Sequence, residues 1–314
     1  MRLCDRWGSM KQTAFIFPGQ GSQSVGMGKE FYDHFKVARE VFEEADDTLR
    51  FSISELCFQG TEEALKLTEN TQPAVLTTSI AALRVLQAEK GIQARFTAGH
   101  SLGEFSALVA SGALSFSEGV RIVRLRGRFM QEAVPLGEGA MAAILGMEKE
   151  EVEKICDEAS SGEILSPANF NCPGQIVIAG HSKAVQRAME IVKQKGKKAM
   201  LLPVSAPFHS PLMKPAGVRL NEAMEGITVG ELKVPVVTNV EAEINTSKER
   251  VKPLLVAQVS SPVRWEESMR KMIEEGVEQF LEIGPGRVLS GLAKRIDPKA
   301  ETKNLEDIQT LKKI

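Results

Sequence analysis

Ser101 stands in GHSLG, with Gly99 two residues before it and Gly103 two residues after. The apolar FTAG leads in and a helix-like EFSALVASGAL leads out. Gly-X-Ser-X-Gly between a strand and a helix presents a serine hydroxyl at the top of a sheet, with glycines where backbones pass closely. The same spacing also serves an ordinary strand-to-helix junction. A serine hydroxyl needs a base within hydrogen-bond reach, and the chain holds only four histidines. His34 lies in a charged helix, His181 sits in an AGHS turn, and His100 adjoins Ser101, where consecutive side chains diverge. His209 is different: SAPFHSP puts it on a loop pinned by Pro207 and Pro211, the fixed backbone that a general base requires. No orienting acid follows in the usual order. Asp157 is the only aspartate between Ser101 and His209, and it sits in a polar helix, so another acceptor must hold the imidazole.

Two more features bear on chemistry. On a helical projection of EGVRIVRLRGRFMQEA (118–133), Arg126 falls inside an apolar arc while Arg121, Arg124 and Arg128 point away. An inward guanidinium needs an anion, either an internal carboxylate or a ligand. The glycine-rich loop FPGQGSQSVGMG (17–28) lacks the Gly-Lys-Ser/Thr and dinucleotide spacings of a nucleotide site. It is either a tight turn or half of an oxyanion hole, the Gln20 N–H acting with that of Leu102.

These residues need a scaffold. Apolar β-rich runs alternate with helical segments at 29–49, 74–89 and from Gly103, which argues for an α/β fold with a mainly parallel sheet. From Gly139 the order becomes strand, helix, strand, strand, helix, strand, that of a ferredoxin-like α+β unit. The expected organisation is therefore a large α/β catalytic domain over 10–134 and 205–314, with an inserted subdomain over 135–204. VPVVTNV (234–240), a helix near 251–259 and QFLEIGPGRVLSGLAKRI (279–296) complete the large domain. The GPG at 284–286 reads as a strand-to-helix turn, since Pro285 has no N–H to offer an anion.

With 43% hydrophobic residues in 314, the chain is long enough for a large core. Its longest uncharged apolar stretches fall short of the ~18 residues that span a bilayer, so no membrane partner is expected. The start lacks a secretory signal, and Gly8-Ser9 before Met10 reads as a cloning remnant over residues 1–9. The four cysteines have neither metal-ligand spacing nor the density of a disulfide framework, which fits a reducing cytoplasm and no metal. A net charge of -2 argues against nucleic acid, although basic groups such as Lys195, Lys198, Arg287 and Lys294 could meet an acidic protein.

Taken together, FPGQGSQ, NTQPA, GHSLGEFSAL, RGRFMQEA, NFNCPGQIVIAG, APFHSPLM and LEIGPGRVLSGL resemble the malonyl-CoA:acyl carrier protein transacylase family of fatty-acid synthesis, from about Met10 to Ile296. The resemblance implies a hydrolase-like α/β domain with a ferredoxin-like insertion. It implies Ser101 as acyl acceptor, His209 as base and acid, Gln20 and Leu102 as oxyanion amides, and Arg126 as the clamp for the malonyl carboxylate. It further implies that the main-chain carbonyl of Gln258, in VAQVSSPVRW, holds His209 in place of an acid. Asn169 and Asn171 are expected along the pantetheine cleft. Phe208 corresponds to the bulky residue of malonyl-loading relatives, or simply packs. The implied partners are malonyl-CoA and holo acyl carrier protein, with no cofactor and a monomeric chain.

Overall fold

The computed structural model describes residues 11–204 and 206–314; the 1–9 remnant lies outside the described residues. A six-stranded sheet has the order β10-β9-β1-β2-β7-β8, built from β1 (Thr13–Phe17), β2 (Phe96–Gly99), β7 (Val236–Val237), β8 (Ile244–Asn245), β9 (Gln279–Ile283) and β10 (Glu301–Leu305). All pairings are parallel except β7 with β8. β1 and β2 are buried along their whole length, as expected of central strands covered by helices on both faces.

A second sheet, antiparallel throughout, has the order β4-β5-β3-β6 from β3 (Gly139–Leu145), β4 (Leu165–Cys172), β5 (Gln175–His181) and β6 (Lys198–Leu201). With the helices Lys149–Ser160 and Ser182–Gln194 it encloses its own small core around Ile144, Val152, Ile178 and Val185. This is the βαββαβ arrangement read from the sequence. Two backbone hydrogen bonds tie it to the large sheet's side of the molecule: Val263 N–H donates to the Ala168 carbonyl and Phe170 N–H to the Val263 carbonyl, both at 2.9 Å.

Three elements differ from the sequence reading. The segment expected as one helix over 29–49 breaks at Phe35, whose extended backbone separates Lys29–His34 from Lys36–Leu49 and sets its ring against Phe31. The helix expected from Ala74 begins at Thr68 and carries Pro73 inside it, tolerating one missing N–H donor. VPVVTNV yields only the two-residue β7, because the chain turns at Thr238–Ala242 and draws Asn239 into a buried position. Among the described residues, no helix is long and apolar enough to cross a membrane.

The turn carrying Ser101 depends on close backbone approach. A Cβ on Gly99 would lie 1.9 Å from the Gly103 carbonyl, and one on Gly103 would lie 2.1 Å from the Phe17 carbonyl of β1. The helix Gly103–Ser111 can therefore start directly against the sheet only if both positions lack side chains. Gly103→Ala is expected to destabilise the protein by about 3 kcal/mol, at the upper end of overpacking because backbone rather than a side chain must move. Chemical denaturation measures this as a lowered midpoint.

Candidate active site

Ser101 follows the C-terminal end of β2 with φ of 53°, the left-handed region that a side chain rarely adopts. Its N–H donates to Asn239 Oδ1 at 2.7 Å, and its carbonyl accepts from Gln258 Nε2 at 2.9 Å. The strained turn is thereby held by side chains from two other segments. His209 also has a positive φ, 59°, in the loop after the small sheet. Its Nε2 lies 2.7 Å from Ser101 Oγ, and its Nδ1 donates to the Gln258 carbonyl at 2.9 Å.

The other histidines have structural engagements. His34 Nδ1 meets the Glu30 carbonyl of its own turn, and His181 Nδ1 accepts from the Ile164 N–H. The His100 ring turns away from Ser101, packing on Trp265 and meeting Asn171 Oδ1 through Nε2 at 2.9 Å.

Burial, and secondarily the Arg126 charge, drives the His209 imidazole down to about 3. At neutral pH it is uncharged, with the proton on Nδ1 facing a carbonyl and the Nε2 lone pair facing the serine hydroxyl. That tautomer is the one a general base for Ser101 needs.

Arg126 is 1% exposed on the Phe116–Glu132 helix, while Arg121 and Arg128 on the same helix are exposed. Nη1 donates to Gln72 Oε1 at 2.8 Å; Nη2 donates to Gln258 Oε1 at 2.9 Å and to Ser101 Oγ at 3.1 Å. Burial lowers the guanidinium to about 10, which leaves it protonated at neutral pH. Two amide oxygens thus hold a cation beside the Ser101 hydroxyl.

Ser101, His209, Arg126, Gln20, Leu102, Phe208 and Asn169 all line one cavity of about 120 Å³. The N–H groups of Gln20 and Leu102 make no hydrogen bond among the described residues, which suits an oxyanion hole. Asn171, expected beside Asn169, does not line the cavity. Bulges in β4 after Pro167 and after Phe170 break the two-residue alternation, and its side chain goes to His100 instead. Arg287, one of the basic groups noted above, is tied to Glu306 at 2.9 Å. Larger clefts open elsewhere, about 510 Å³ beside Lys193 and about 670 Å³ beside Arg95, but neither pairs a nucleophile with a base.

Three members of the site were not singled out from the sequence. Gln72 lies in the NTQPA segment, Glu104 follows GHSLG directly, and Asn239 lies in VVTNV. Glu104 is 2% exposed and accepts from Gln258 Nε2 at 2.7 Å and from the Asn239 N–H at 3.1 Å. A charged residue one turn past a candidate nucleophile, on a helix of otherwise apolar and small residues, was the available signal.

The family described as the acyl transferase domain matches residues 14–313. The chain belongs to this family. It is 53% identical over 304 residues to the malonyl CoA-acyl carrier protein transacylase of Bacillus subtilis, covering 96% of each chain. The crystal structure of the malonyl CoA-acyl carrier protein transacylase of Clostridium perfringens superposes with a TM-score of 0.93 at 44% identity, covering 96% of this chain and 95% of that one. A type II polyketide acyl-carrier protein complex with its malonyl-transacylase matches at a TM-score of 0.93 and 47% identity, over 96% of this chain and 97% of that one. One small cavity of this acyltransferase is lined by a serine hydroxyl, a neutral imidazole and a buried guanidinium.

The depressed His209 has a definite sign for pH. Its neutral form persists as pH falls from 6.5 toward 3, so the base remains available across that window. The unfolded chain does bind the proton there, so stability declines over the same interval. In a rapid assay after a pH jump, kcat/KM for acyl transfer at pH 5.5 is expected to stay close to its pH 7 value. An imidazole at 6.5 would leave only about a tenth of it.

Proposed function

We propose that this acyltransferase moves the malonyl group of malonyl-CoA to the phosphopantetheine thiol of holo acyl carrier protein through a malonyl ester on Ser101. The observation that carries the reading is that Ser101 Oγ lies 2.7 Å from the base His209 and 3.1 Å from the buried Arg126. In a malonyl ester the free carboxylate carbon is three bonds from Oγ, so a cation this close to the nucleophile can hold it.

Ser101 Oγ attacks the thioester carbonyl while its proton passes to His209 Nε2. The tetrahedral oxyanion faces the N–H groups of Gln20 and Leu102, where each donor is worth about 3 to 4 kcal/mol of barrier. Collapse breaks the C–S bond, and the coenzyme A sulfur leaves with the proton from His209. The carrier-protein thiol then gives its proton to His209 and attacks the ester carbonyl. Ser101 Oγ leaves and regains its proton. The atoms balance without a resident cofactor. The Gln258 carbonyl keeps the imidazole in one orientation throughout, which explains why no aspartate is needed.

Arg126 supplies selectivity. A malonyl carboxylate gains a charge-assisted contact with the guanidinium, on the order of 1.5 to 3 kcal/mol, that an acetyl group cannot make. Phe208 and Asn169 border the cavity and limit the acyl group and the pantetheine arm. We further assign the enzyme to a reducing cytoplasm as a monomer; the free, buried Cys57, Cys156 and Cys172 support the reducing compartment.

Incubation with malonyl-CoA alone should add one malonyl group to Ser101, detected by intact mass and peptide mapping, and holo carrier protein should remove it. Rapid release of free malonate regardless of carrier protein would point to a hydrolase. Arg126→Ala is expected to cut malonyl transfer by about 100-fold or more, with acetyl transfer rising relative to it. Competition between malonyl- and acetyl-CoA measures that ratio.

A further inference from the structure

Beneath the cavity lies a carboxyl group that the transfer steps do not touch. Glu104 sits three residues past Ser101, in the first turn of the Gly103–Ser111 helix. Around Gln258 Nε2 are the Ser101 carbonyl at 2.9 Å, Glu104 Oε2 at 2.7 Å and Asn239 Oδ1 at 3.3 Å. All three are acceptors, so only the NH2 end fits there, and Oε1 is left facing Arg126 at 2.9 Å. One amide is thus strung between a cation and a carboxyl group, with its negative end on the guanidinium. An ionised Glu104 favours that polarity.

Two carboxyl groups are fully buried among the described residues. Glu282 accepts from the Leu289 and Ser290 N–H groups at the start of the Val288–Ile296 helix. Glu104 is the one joined to Arg126, through the two ends of the Gln258 amide. The other titratable groups near it are His100, just after β2, and His209, beyond Gln258; burial lowers both imidazoles. The neighbouring faces of β1, β7 and the Thr68–Lys90 helix bury only apolar or uncharged residues.

We propose that Glu104 is the counter-charge of Arg126 in the free enzyme and takes up a proton from solvent when the malonyl carboxylate arrives on Arg126. The inference rests on reading Arg126 as the carboxylate site. Two anions sharing one buried cation repel each other, and protonating one relieves the repulsion. Burial already pushes the Glu104 carboxyl up to about 7, with Gln258, Asn239 and Arg126 opposing a further rise. The arriving anion drives it higher, so one proton enters with the substrate wherever Glu104 was ionised beforehand. The acylation equilibrium is therefore flat below about pH 7 and declines above it, by up to tenfold per pH unit. Glu104 acts through Arg126 and is a positioning residue.

The equilibrium is read by intact mass as the ratio of malonyl-enzyme to free enzyme, at a fixed ratio of malonyl-CoA to coenzyme A, from pH 6 to 8.5. Ionisation of the coenzyme A thiol contributes equally to every protein compared. The wild type should show the decline. Glu104→Gln, of the same shape and permanently neutral, should give a flat profile with more malonyl-enzyme than wild type at pH 8.5. In the wild type alone, an indicator dye in weak buffer should register uptake approaching one proton per acylated site at pH 8 and none at pH 6, which keeps the test open if the variant does not fold. A purely structural glutamate would shift yield equally at every pH. Equal slopes in the two proteins, or no proton uptake by wild type, would overturn the counter-charge role while leaving the malonyl-serine reading intact. Absence of any malonyl adduct at all would overturn both.

Discussion

The burial of one guanidinium organises this molecule's centre. Taking Arg126 out of water is costly without acceptors, and the fold brings Gln72, Gln258 and Ser101 to its two terminal nitrogens from three separate segments, leaving only Nε unpaired. Gln258 serves twice. Its side chain holds Arg126 and the Ser101 carbonyl, while its main chain holds His209, so guanidinium, serine and imidazole are all referred to one residue. Loosening Gln258 would disturb all three together, and its complete burial keeps water from competing for these bonds.

Two of the five non-glycine residues with positive φ among the described residues meet at the same point. Both Ser101 and His209 have left-handed backbone conformations, each costing on the order of 1 to 3 kcal/mol in isolation. Those conformations persist because neighbouring groups over-determine them: Asn239 grips the Ser101 N–H and the Gly99 carbonyl, and the Ser210 hydroxyl donates to the Pro207 carbonyl beside His209. The reacting atoms are thus aimed before any substrate arrives, and ordering them consumes little binding energy at the moment of reaction.

Much of this was legible in the chain. Alternating apolar and helical segments gave the two sheets, the glycine pair around Ser101 gave the nucleophile turn, and helical projection turned Arg126 inward. Local patterns failed where a long-range contact decides the outcome. Asn239 leaves its strand early to reach Ser101, and no periodicity announces that. Gln72 and Glu104 are important through partners 54 and 154 residues away, a relation that a one-dimensional reading cannot see. The Gln258 carbonyl came only through the family resemblance, since the residues themselves showed that an acceptor was missing but not which one. Two bulges in β4 send the Asn171 side chain to His100, and nothing in the local sequence announces them.

The paired backbone bonds between Val263 and the β4 residues Ala168 and Phe170 have a practical consequence for building chimaeras. Val263 lies only five residues from Gln258, and Asn169, between the two bonded β4 residues, forms part of the cavity wall. The small sheet is therefore latched to the very segment that orients the base. A subdomain transplanted from a relative at its two chain crossings alone would bring a foreign β4 against the resident 258–265 segment. Splicing that segment along with the subdomain keeps the latch and the histidine's support from a single parent.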